Sequence, residues 1–438
     1  MRTLAEWLSL QESVHPQSID MGLERVSRVA EALAVARPAF PVITVGGTNG
    51  KGSVVAHLEA LLSAVGVRTG MFTSPHLVRY NERIRVAGSE VTDEELIAAF
   101  ESIEAARGAT TLTFFEYNTL AALVIFTRAR VDVAVLEVGL GGRLDATNLI
   151  AADAAVLASV GFDHREWLGD TLELIGAEKA GIFRAGRPAV LGTPQMPASV
   201  YETISRLPAR AVVAERDFSW QIGLTGWDYR GLELTLRSLP PPALEGAIQY
   251  RNAATAIAAL EVLRASENLR PAVARLATTL AALDAPAAAT ALRRVRLAGR
   301  FQIIPGEVEW ILDIAHNEPA ARVLAAQLRE RPLPRSAGRA AGTFAVIGVL
   351  ADKDAAAIGT ALAGVIDRWI VCTLPGPRGT SAAELAPRLA PGAASIELAG
   401  SIVAGCELAR AQAQPGDRVV VCGSVYAVGP ALQWLRIY

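Results

Sequence analysis

Residues 46–53 read GGTNGKGS and lie between two patterns of different period. The apolar run Phe40–Val45 comes before them, and a helical pattern with apolar residues every three or four positions, Val54–Val65, comes after them. Glycines let a backbone turn sharply and point several N–H groups at an anion, and the start of a helix adds further unsatisfied N–H groups. The stretch therefore predicts a phosphate-binding loop between a strand and a helix.

The loop departs from the common signature G-x-x-x-x-G-K-[ST], because Gly52 separates Lys51 from the hydroxyl residue Ser53. In such loops the lysine reaches phosphate oxygens and the hydroxyl group binds magnesium. The alternative is a plain glycine-rich turn. Strand, loop, lysine, hydroxyl group and helix all occur in the required order, and this order favours nucleotide binding.

The composition indicates a globular protein with a large core, since 51% of the 438 residues are hydrophobic and 20% are charged. A net charge of −2 gives no indication of a surface for nucleic acid or anionic membrane. Cys372, Cys406 and Cys422 lack metal-ligand spacing, which predicts buried free thiols in a reducing cytosol. The first residues lack the apolar centre of a signal peptide, and no apolar run is long enough to span a membrane. A cytoplasmic location is therefore expected.

Apolar runs of strand length alternate with helical patterns through most of the chain. Runs that are apolar throughout predict parallel strands buried on both faces, and their alternation with helices predicts α/β layers. The runs are Phe40–Val45, Val131–Val138, Ala154–Val160, Pro188–Gly192, Trp310–Ala315, Phe344–Leu350, Trp369–Leu374 and Arg418–Gly423.

The chain changes character near residue 290, where an Ala- and Leu-rich helical region gives way to the basic segment Arg293–Phe301. We place a domain boundary here, which divides the chain into residues 1–290 and 291–438. Taken alone, the arginines of this segment are those of a solvated connector. Short runs in residues 200–245 predict a β-rich excursion from the first domain.

Polar residues stand at the carboxyl ends of two predicted strands, the edge at which open α/β sheets bind ligands. Glu137 lies in an apolar run, where a carboxylate needs a salt bridge or a magnesium ion, and the phosphate loop upstream favours magnesium. Asp163 and His164 follow the next strand and fit metal binding, proton transfer or an ordinary satisfied histidine. Taken alone, Lys179 is a solvated lysine, and Ser74 is either a turn cap or a metal ligand.

Eight motifs occur in one fixed order along the chain. They are GTNGKGS (47–53), SPHL (74–77), EVGLGGRLDATN (137–148), DH (163–164), EKAGIFR (178–184), RNAATA (251–256), GRF (299–301) and DIAHN (313–317). This set resembles folylpolyglutamate synthase, in particular the bacterial bifunctional dihydrofolate synthase type, within the Mur ligase superfamily. The resemblance extends from Ser18 to Tyr426. Each motif alone is weakly specific, whereas the ordered set is highly specific.

The resemblance implies an N-terminal P-loop-type ATPase domain with a mostly parallel sheet, and a smaller C-terminal Rossmann-like α/β domain that binds glutamate and closes over the nucleotide. It also implies ATP-dependent amide formation with the amine of L-glutamate. The carboxylate belongs to dihydropteroate, giving dihydrofolate, or to a reduced folate, giving the γ-linked polyglutamate. This carboxylate takes the γ-phosphoryl group of ATP before the amine attacks. A cytoplasmic monomer that binds neither nucleic acid nor membrane is expected.

The resemblance further assigns residues to the nucleotide and metal sites. Ser74, Glu137 and His164 match magnesium ligands, and Lys179 matches a lysine that is often carbamylated, which would provide an anionic ligand for a second magnesium ion. With Lys51, His164 and Lys179 are the expected catalytic residues, and a monovalent cation is left open as a further cofactor. The expected ATP-binding residues are Thr48, Asn49, Gly50, Lys51, Gly52, Ser53, Asn252, Arg300 and Asp313.

A pterin pocket is the third site that the resemblance implies. The segment that begins at Ser18 resembles the part of the bifunctional enzymes that binds dihydropteroate. An aromatic ring in such a pocket stacks on a pterin, although Phe115 is equally consistent with an ordinary core residue. The matching residues are Ile19, Asp20, Met21, Phe115, Arg143, Asp145 and Ala146.

Two other functions remain as alternatives. A Mur-type ligase that joins an amino acid to a cell-wall nucleotide precursor shares the phosphate loop and the modified lysine, but it needs a separate N-terminal domain for the uridine nucleotide. Only about 45 residues precede the phosphate loop, too few for such a domain. A nucleotide-regulated binding module needs neither an acyl-acceptor pocket nor a second metal site. Phosphate release that requires both dihydropteroate and glutamate distinguishes the ligase from such a module.

Overall fold

The computed structural model describes residues 2–17, 19–265, 270–333, 341–389 and 395–438. The described part contains two α/β domains, each built around its own sheet. The strands are β1 (Val42–Gly46), β2 (Thr69–Phe72), β3 (Ile84–Val86), β4 (Ser89–Glu90), β5 (Val133–Glu137), β6 (Ala154–Leu157), β7 (Pro188–Leu191), β8 (Arg210–Val213), β9 (Ser219–Ile222), β10 (Trp227–Arg230), β11 (Thr235–Leu239), β12 (Gln302–Ile304), β13 (Glu309–Leu312), β14 (Thr343–Ile347), β15 (Arg368–Cys372), β16 (Ile396–Ala399) and β17 (Arg418–Cys422).

Helices cover the faces of both sheets. They are α1 (Leu4–Val14), α2 (Glu24–Ala32), α3 (Lys51–Ala64), α4 (Asp93–Arg107), α5 (Phe114–Ala129), α6 (Arg165–Leu168), α7 (Leu172–Ala180), α8 (Ala198–Arg206), α9 (Ile248–Arg264), α10 (Pro271–Leu280), α11 (Ala285–Arg294), α12 (Glu318–Glu330), α13 (Ala355–Leu362), α14 (Ala382–Leu389), α15 (Ile402–Gln412) and α16 (Val425–Trp434). No helix in the described ranges combines the length and apolarity needed to cross a membrane.

The N-terminal domain has an eight-stranded sheet in the order β4-β3-β2-β5-β1-β6-β7-β8. The strands from β2 to β8 in this order pair in parallel, and β3 and β4 form an antiparallel extension. Because β1 lies between β5 and β6, the segments that follow these three strands meet at one edge of the sheet. Helix α3 is apolar on most of its surface because it is packed between this sheet and the helices α9 and α11.

The C-terminal domain has a six-stranded sheet in the order β12-β13-β17-β14-β15-β16. Only β12 is antiparallel to its neighbour, and the other pairs are parallel. The segments after β13, β14 and β17 therefore meet at the carboxyl edge of this second sheet. The predicted fold, a mostly parallel sheet followed by a smaller Rossmann-like domain, is confirmed.

Details of the predicted organisation differ in two places. Residues 200–245 begin in helix α8, and only the later part forms strands; the three-stranded sheet β11-β10-β9 is the β-rich excursion. Residues 290 and 291 lie in α11, which packs on α3 and ends at Arg294. The exact domain boundary stays a prediction. All three cysteines are free and buried.

Candidate active site

The phosphate loop begins where β1 ends, at the carboxyl edge of the larger sheet. Gly47 has a backbone φ of 143° and Gly50 a φ of 87°, which side chains with a Cβ rarely adopt. A Cβ added to Gly50 would also lie 3.1 Å from Oδ1 of Asn252 on α9. Ser53 is buried in the first turn of α3. The turn therefore requires glycine, and Asn252, predicted as a nucleotide contact, lies against it.

Thr48 and Asn49 connect the loop to the segment that follows β6. The N–H of Thr48 donates to the carbonyl of Ser159 at 2.8 Å, and the N–H of Asn49 donates to the hydroxyl of Ser159 at 3.0 Å. The Thr48 hydroxyl donates to the carbonyl of Gly161 at 3.1 Å and accepts from its N–H at 3.0 Å. These bonds fix the loop relative to the neighbouring strand.

Lys51 is the first residue of α3, and its ammonium turns back into the loop. Nζ donates to the carbonyls of Gly47 at 2.9 Å and Thr48 at 3.3 Å. Burial lowers the pKa of Lys51, while the carboxylates of Glu137 and Asp163 oppose that shift. The ammonium therefore lies among loop carbonyls, within electrostatic range of two carboxylates.

Arg300 approaches the same turn of helix from the C-terminal domain, and Asp313 lies within electrostatic range of its guanidinium. A Cβ added to Gly52 would lie 3.4 Å from Nη2 of Arg300. Burial lowers the pKa of the Arg300 guanidinium, and the charge of Asp313 opposes this shift. Asp313 accepts from the N–H groups of Phe301 and Ala315, each at 2.8 Å, which fixes the segment that carries Arg300.

Glu137 is the last residue of β5 and is buried beside the phosphate loop. Its Oε2 accepts from the hydroxyl of Thr73 and, at 3.4 Å, from the N–H of Ser74. Burial raises the pKa of Glu137, and the positive charges of Lys51 and Arg300 counteract part of the rise. A buried carboxylate beside the phosphate loop is a suitable oxygen donor for a magnesium ion.

Glu137 and Ser74 are adjacent, as two ligands of one magnesium ion must be. In the described ranges, no cluster of three or more His, Cys, Asp or Glu side chains is arranged to hold a metal ion. The predicted set differs from such a cluster because it uses a serine and a modified lysine. The ring of His164 fits less well, since its Nε2 lies 3.3 Å from the ammonium of Lys353. Magnesium binding to this nitrogen requires the ammonium to move.

Lys179 lies near the end of α7 with its side chain buried. Burial and the ammonium groups of Lys51 and Lys353 lower the pKa of Lys179 to about 7, against the opposing charges of Asp163 and Asp145. The prediction of a solvated lysine, which its sequence neighbours alone favoured, is therefore wrong. Burial stabilises the neutral amine, the form that reacts with carbon dioxide.

Asp163 is a carboxylate with partners from three side chains of the C-terminal domain. Oδ1 accepts from Nζ of Lys353 at 2.5 Å, Oδ2 accepts from Nδ2 of Asn317 at 2.9 Å, and Nε2 of His316 lies 3.4 Å from Oδ2. Burial alone would raise the pKa of Asp163, but the His316 hydrogen bond and the charges of His164, His316 and Lys353 hold it well below its usual range. Burial, together with nearby positive groups that include Lys353, lowers the pKa of His164 to about 4.

The loop after β5 forms the floor beneath two apolar side chains. A Cβ added to Gly139 would lie 2.6 Å from the ring of Phe115, so this ring covers the glycine directly. Phe115 also contacts Phe72, with ring centroids 5.7 Å apart. A Cβ added to Gly141 would lie 3.6 Å from Cε of Met21. Phe115 and Met21, both predicted to line the pterin pocket, therefore lie over neighbouring parts of one glycine-rich loop.

The carboxylate of Asp145 fixes the loop after β5 by accepting hydrogen bonds from it. Its Oδ2 accepts from the N–H groups of Gly139 at 3.0 Å and Leu140 at 2.9 Å. Its Oδ1 accepts from the N–H of Thr147 at 3.0 Å and from its hydroxyl at 2.6 Å. With four internal donors, the buried carboxylate fixes the shape of the loop after β5, and Ala146 follows it in a short 3₁₀ helix.

Arg143 and Asp20 have protein partners of their own. Arg143 is more than half exposed and pairs with Glu178 at 2.7 Å. Asp20 pairs with Arg25 at 2.7 Å, and Nε2 of His15 lies 3.1 Å from its carboxylate. Both side chains are therefore engaged in ion pairs, and their place in the pterin pocket stays a prediction. Ile19, the neighbour of Asp20, is partly buried, and Ser18 lies outside the described residues.

Protein-family models match parts of both domains. The Mur ligase middle domain matches residues 45–192, and the Mur ligase glutamate ligase domain matches residues 299–425. The dihydrofolate synthase/folylpolyglutamate synthase of Escherichia coli (strain K12) is 43% identical over 434 residues, covering 98% of this chain and 95% of that protein. The chain belongs to the dihydrofolate synthase/folylpolyglutamate synthase family.

Solved structures of this family have the same two-domain fold. E. coli FolC in complex with DHPP and ADP has a TM-score of 0.89 at 39% identity, covering 99% of this chain and 98% of that one. A bifunctional folylpolyglutamate synthase/dihydrofolate synthase with Mn, AMPPNP and L-glutamate bound has a TM-score of 0.87 at 38% identity, covering 100% of this chain and 99% of that one. Membership confirms the predicted family and enzyme class, an ATP-dependent ligase. The roles of individual residues stay predictions.

Lys353 is a site residue that the motifs missed. It follows β14 at the carboxyl edge of the second sheet, and its side chain is only 6% exposed. A compositional signal was present, because of 42 lysine and arginine residues only Lys51, Lys179 and Lys353 are lysines. Because arginine provides nearly all the cationic side chains of this protein, a lysine indicates a position that needs a compact ammonium or a neutral amine. All three lysines lie at this family's candidate active site.

Proposed function

We propose that this chain joins L-glutamate to dihydropteroate, forming dihydrofolate, and to the γ-carboxylate of reduced folates, forming polyglutamates. Each reaction consumes ATP and passes through an acyl phosphate. One observation carries this proposal: the phosphate loop and the glycine-rich loop under Phe115 follow adjacent strands at the same edge of one sheet, and Arg300 of the second domain lies beside Gly52 of the phosphate loop. This arrangement suits transfer of a phosphoryl group between a nucleotide and a carboxylate bound beside it.

The phosphate loop and its neighbours have the first role. Backbone N–H groups of residues 50–53 and the ammonium of Lys51 bind the triphosphate, with Asn252 beside the loop and Arg300, supported by Asp313, above it. Thr48 and Asn49, whose N–H groups donate to Ser159, border the same site. Phosphoryl transfer depends mainly on positioning and on neutralising charge, so these groups carry much of the rate acceleration. The ammonium of Lys51 needs little movement for this role, because phosphate oxygens would only replace the loop carbonyls as its hydrogen-bond acceptors.

Two magnesium sites belong to the proposal. Magnesium, when bound, neutralises phosphate charge and holds the phosphoryl oxygens in place. Ser74 and Glu137 would hold one ion, and His164 with carbamylated Lys179 would hold the other. Carbamylation replaces a cation by an anionic oxygen donor, and the low pKa of Lys179 favours the neutral amine that this modification needs. A monovalent cation is a further prediction to which no residue is assigned.

The folate substrate is proposed to lie over the glycine-rich loop held by Asp145. Phe115 and Met21 provide apolar cover for the pterin, and Ile19, Asp20, Arg143 and Ala146 border the same region. The C-terminal domain is proposed to bring glutamate and to exclude water, because an acyl phosphate is lost if water reaches it before the amine does. A cytoplasmic monomer is the assembly that we expect.

A pair of assays on one purified sample tests the proposal. One assay supplies dihydropteroate and the other tetrahydrofolate, each with ATP, magnesium and glutamate, and phosphate release is measured with single omissions of each substrate. We expect turnover in both assays and none when glutamate or the pterin substrate is left out. Turnover in neither assay would sink the proposal, and turnover in only one would restrict it to that substrate.

A further inference from the structure

The carboxylate of Asp163, in the N-terminal domain, is contacted by three side chains of the C-terminal domain. Asp163 follows β6, whereas His316 and Asn317 follow β13 and Lys353 follows β14. Lys353 and Asn317 donate to different oxygens of Asp163, at 2.5 Å and 2.9 Å, and His316 lies 3.4 Å from the second oxygen. Both carboxylate oxygens are thus used by the second domain.

The contact between Lys353 and Asp163 is well shielded from solvent. Their side chains are 6% and 8% exposed, so the charge pair is only weakly screened by water and salt. The attraction within a buried pair offsets the desolvation of both charges only when the remaining lone pairs have donors, and here Asn317 donates to the second oxygen of Asp163 at 2.9 Å. The pair therefore favours the arrangement in which the two domains are together.

A second chain of contacts leads from Asp163 to the phosphate loop. The Asn317 amide donates to Asp163 and, at 3.1 Å, to Oδ1 of Asn49. Oδ1 of Asn317 accepts from Nδ2 of Asn49 at 3.0 Å and from the N–H of Ala320 at 3.0 Å, which caps α12. One asparagine thus connects the carboxylate, the nucleotide loop and the first turn of a C-terminal helix.

We propose that Asp163 is the latch that holds the C-terminal domain closed on the phosphate loop, with Lys353 as its main partner. The inference rests on the proposed function for the reaction that closure serves. Asp163 acts as a positioning residue: it sets the distance between the nucleotide held by the N-terminal domain and the groups that the C-terminal domain contributes. Asn317 transmits that position to Asn49 in the loop.

A set of variants distinguishes a latch from an ordinary buried ion pair. Asp163→Asn and Lys353→Met each remove one charge, and the double variant removes both. Asp217→Asn is the control for the loss of a carboxylate charge from an ion pair, because Asp217 pairs with Arg216 at 2.6 Å, wholly within the N-terminal domain. Each protein is checked for an unchanged circular dichroism spectrum. If Asp163→Asn does not fold, Lys353→Met alone carries the test.

Kinetics provide the first readout. We expect kcat to fall about 100-fold in either single variant, since small misplacements of reacting groups have effects of that size. ATP affinity should change less than about threefold, because the loop itself is intact, and the double variant should be no slower than the slower single variant. The proposed latch would be contradicted if the losses in kcat of the two single variants add in the double variant, or if kcat in the single variants stays within about twofold of the wild type.

Small-angle scattering provides a readout that does not depend on turnover. The radius of gyration of Asp163→Asn and Lys353→Met should exceed that of the wild type and of Asp217→Asn, because the domains separate. Equal radii in all four proteins would overturn the latch. If the wild type turns over neither pterin substrate, the proposed function fails, whereas the scattering comparison still decides whether the latch exists.

Discussion

The phosphate loop and the proposed pterin pocket lie at one edge of the same sheet, but they are built differently. The loop is a continuous stretch of eight residues whose shape comes from its glycines and from hydrogen bonds of Thr48 and Asn49 to Ser159 and Gly161. The pocket combines the segment around Met21, the start of α5 and the loop after β5, and side chains hold these together. Nucleotide binding should therefore be lost mainly when residues of the loop itself are substituted. Pterin binding should also weaken when residues that support the pocket from a distance are substituted.

Lys51→Ala should have the largest effect. The ammonium neutralises phosphate rather than filling the core, so turnover should fall at least about 1,000-fold while the fold is kept. The measurement is kcat with saturating substrates, together with the midpoint of thermal unfolding. Unaltered kcat would remove the loop from the mechanism, and a collapsed midpoint would show that the loop lysine also supports the fold.

Lys179→Ala should come next, because it removes the proposed carbamate and its magnesium ligand. Turnover should fall at least about 100-fold and recover in part when a short carboxylic acid is supplied, since its carboxylate can replace the missing oxygen donor. Native mass spectrometry of the wild type should show the added mass of carbon dioxide on Lys179. Unmodified lysine in a protein with both metals bound would contradict the carbamate.

Asp145→Asn tests whether the pocket floor depends on one buried carboxylate. The amide nitrogen of asparagine cannot accept a hydrogen bond, so one of the two pairs of donors to Asp145 loses its acceptor. The free energy of unfolding should therefore fall by about 1–3 kcal/mol. KM for the pterin substrate should rise while KM for ATP stays constant. Urea denaturation and steady-state kinetics measure the two effects. An equal rise in both KM values would show that the loop and the pocket are not separate structures.

Arg25→Met should have the smallest effect, confined to the pocket. Arg25 donates to the backbone carbonyl of Asp20 at 2.7 Å and lies 3.4 Å from buried Glu116, so it ties the segment before α2 to α5. We expect KM for the pterin substrate to rise several-fold, or about 1 kcal/mol of binding free energy. Exposed Arg28, on the same helix, provides the control variant Arg28→Met. The same rise in both variants would argue against a specific support.

The two regions also differ in how far the sequence predicts them. The phosphate loop could be found because its glycines, lysine and hydroxyl group are adjacent in the chain and flanked by a strand and a helix. Glu137 could be found because it lies near the end of an apolar run, and His164 because it follows the next run. The contacts of Asp163 with Lys353 could not, since they join residues about 190 positions apart and depend on how two sheets face one another. The strands β2 to β4 and β16 were also missed, since none of the predicted apolar runs includes them.

The roles of some single residues also depend on burial, which the sequence does not show. Lys179 looks solvated beside Glu178 in the sequence, yet α7 turns it inward toward the site. Asp145 matches a pocket position in the motif, yet its carboxylate is fully used by backbone donors of the loop that it supports. Such roles depend on side-chain direction and packing, which a motif match does not contain.

The scarcity of lysine makes ordinary amine chemistry selective for one place in this protein. Apart from the α-amino group of the chain, every primary amine belongs to Lys51, Lys179 or Lys353. Reductive methylation with ¹³C-formaldehyde would therefore give a lysine spectrum of three signals, all from the site, in which nucleotide, carbon dioxide and domain movement can each be followed. For the same reason, immobilising the protein through lysine would block the site, and a cysteine introduced at the surface would be the better attachment point.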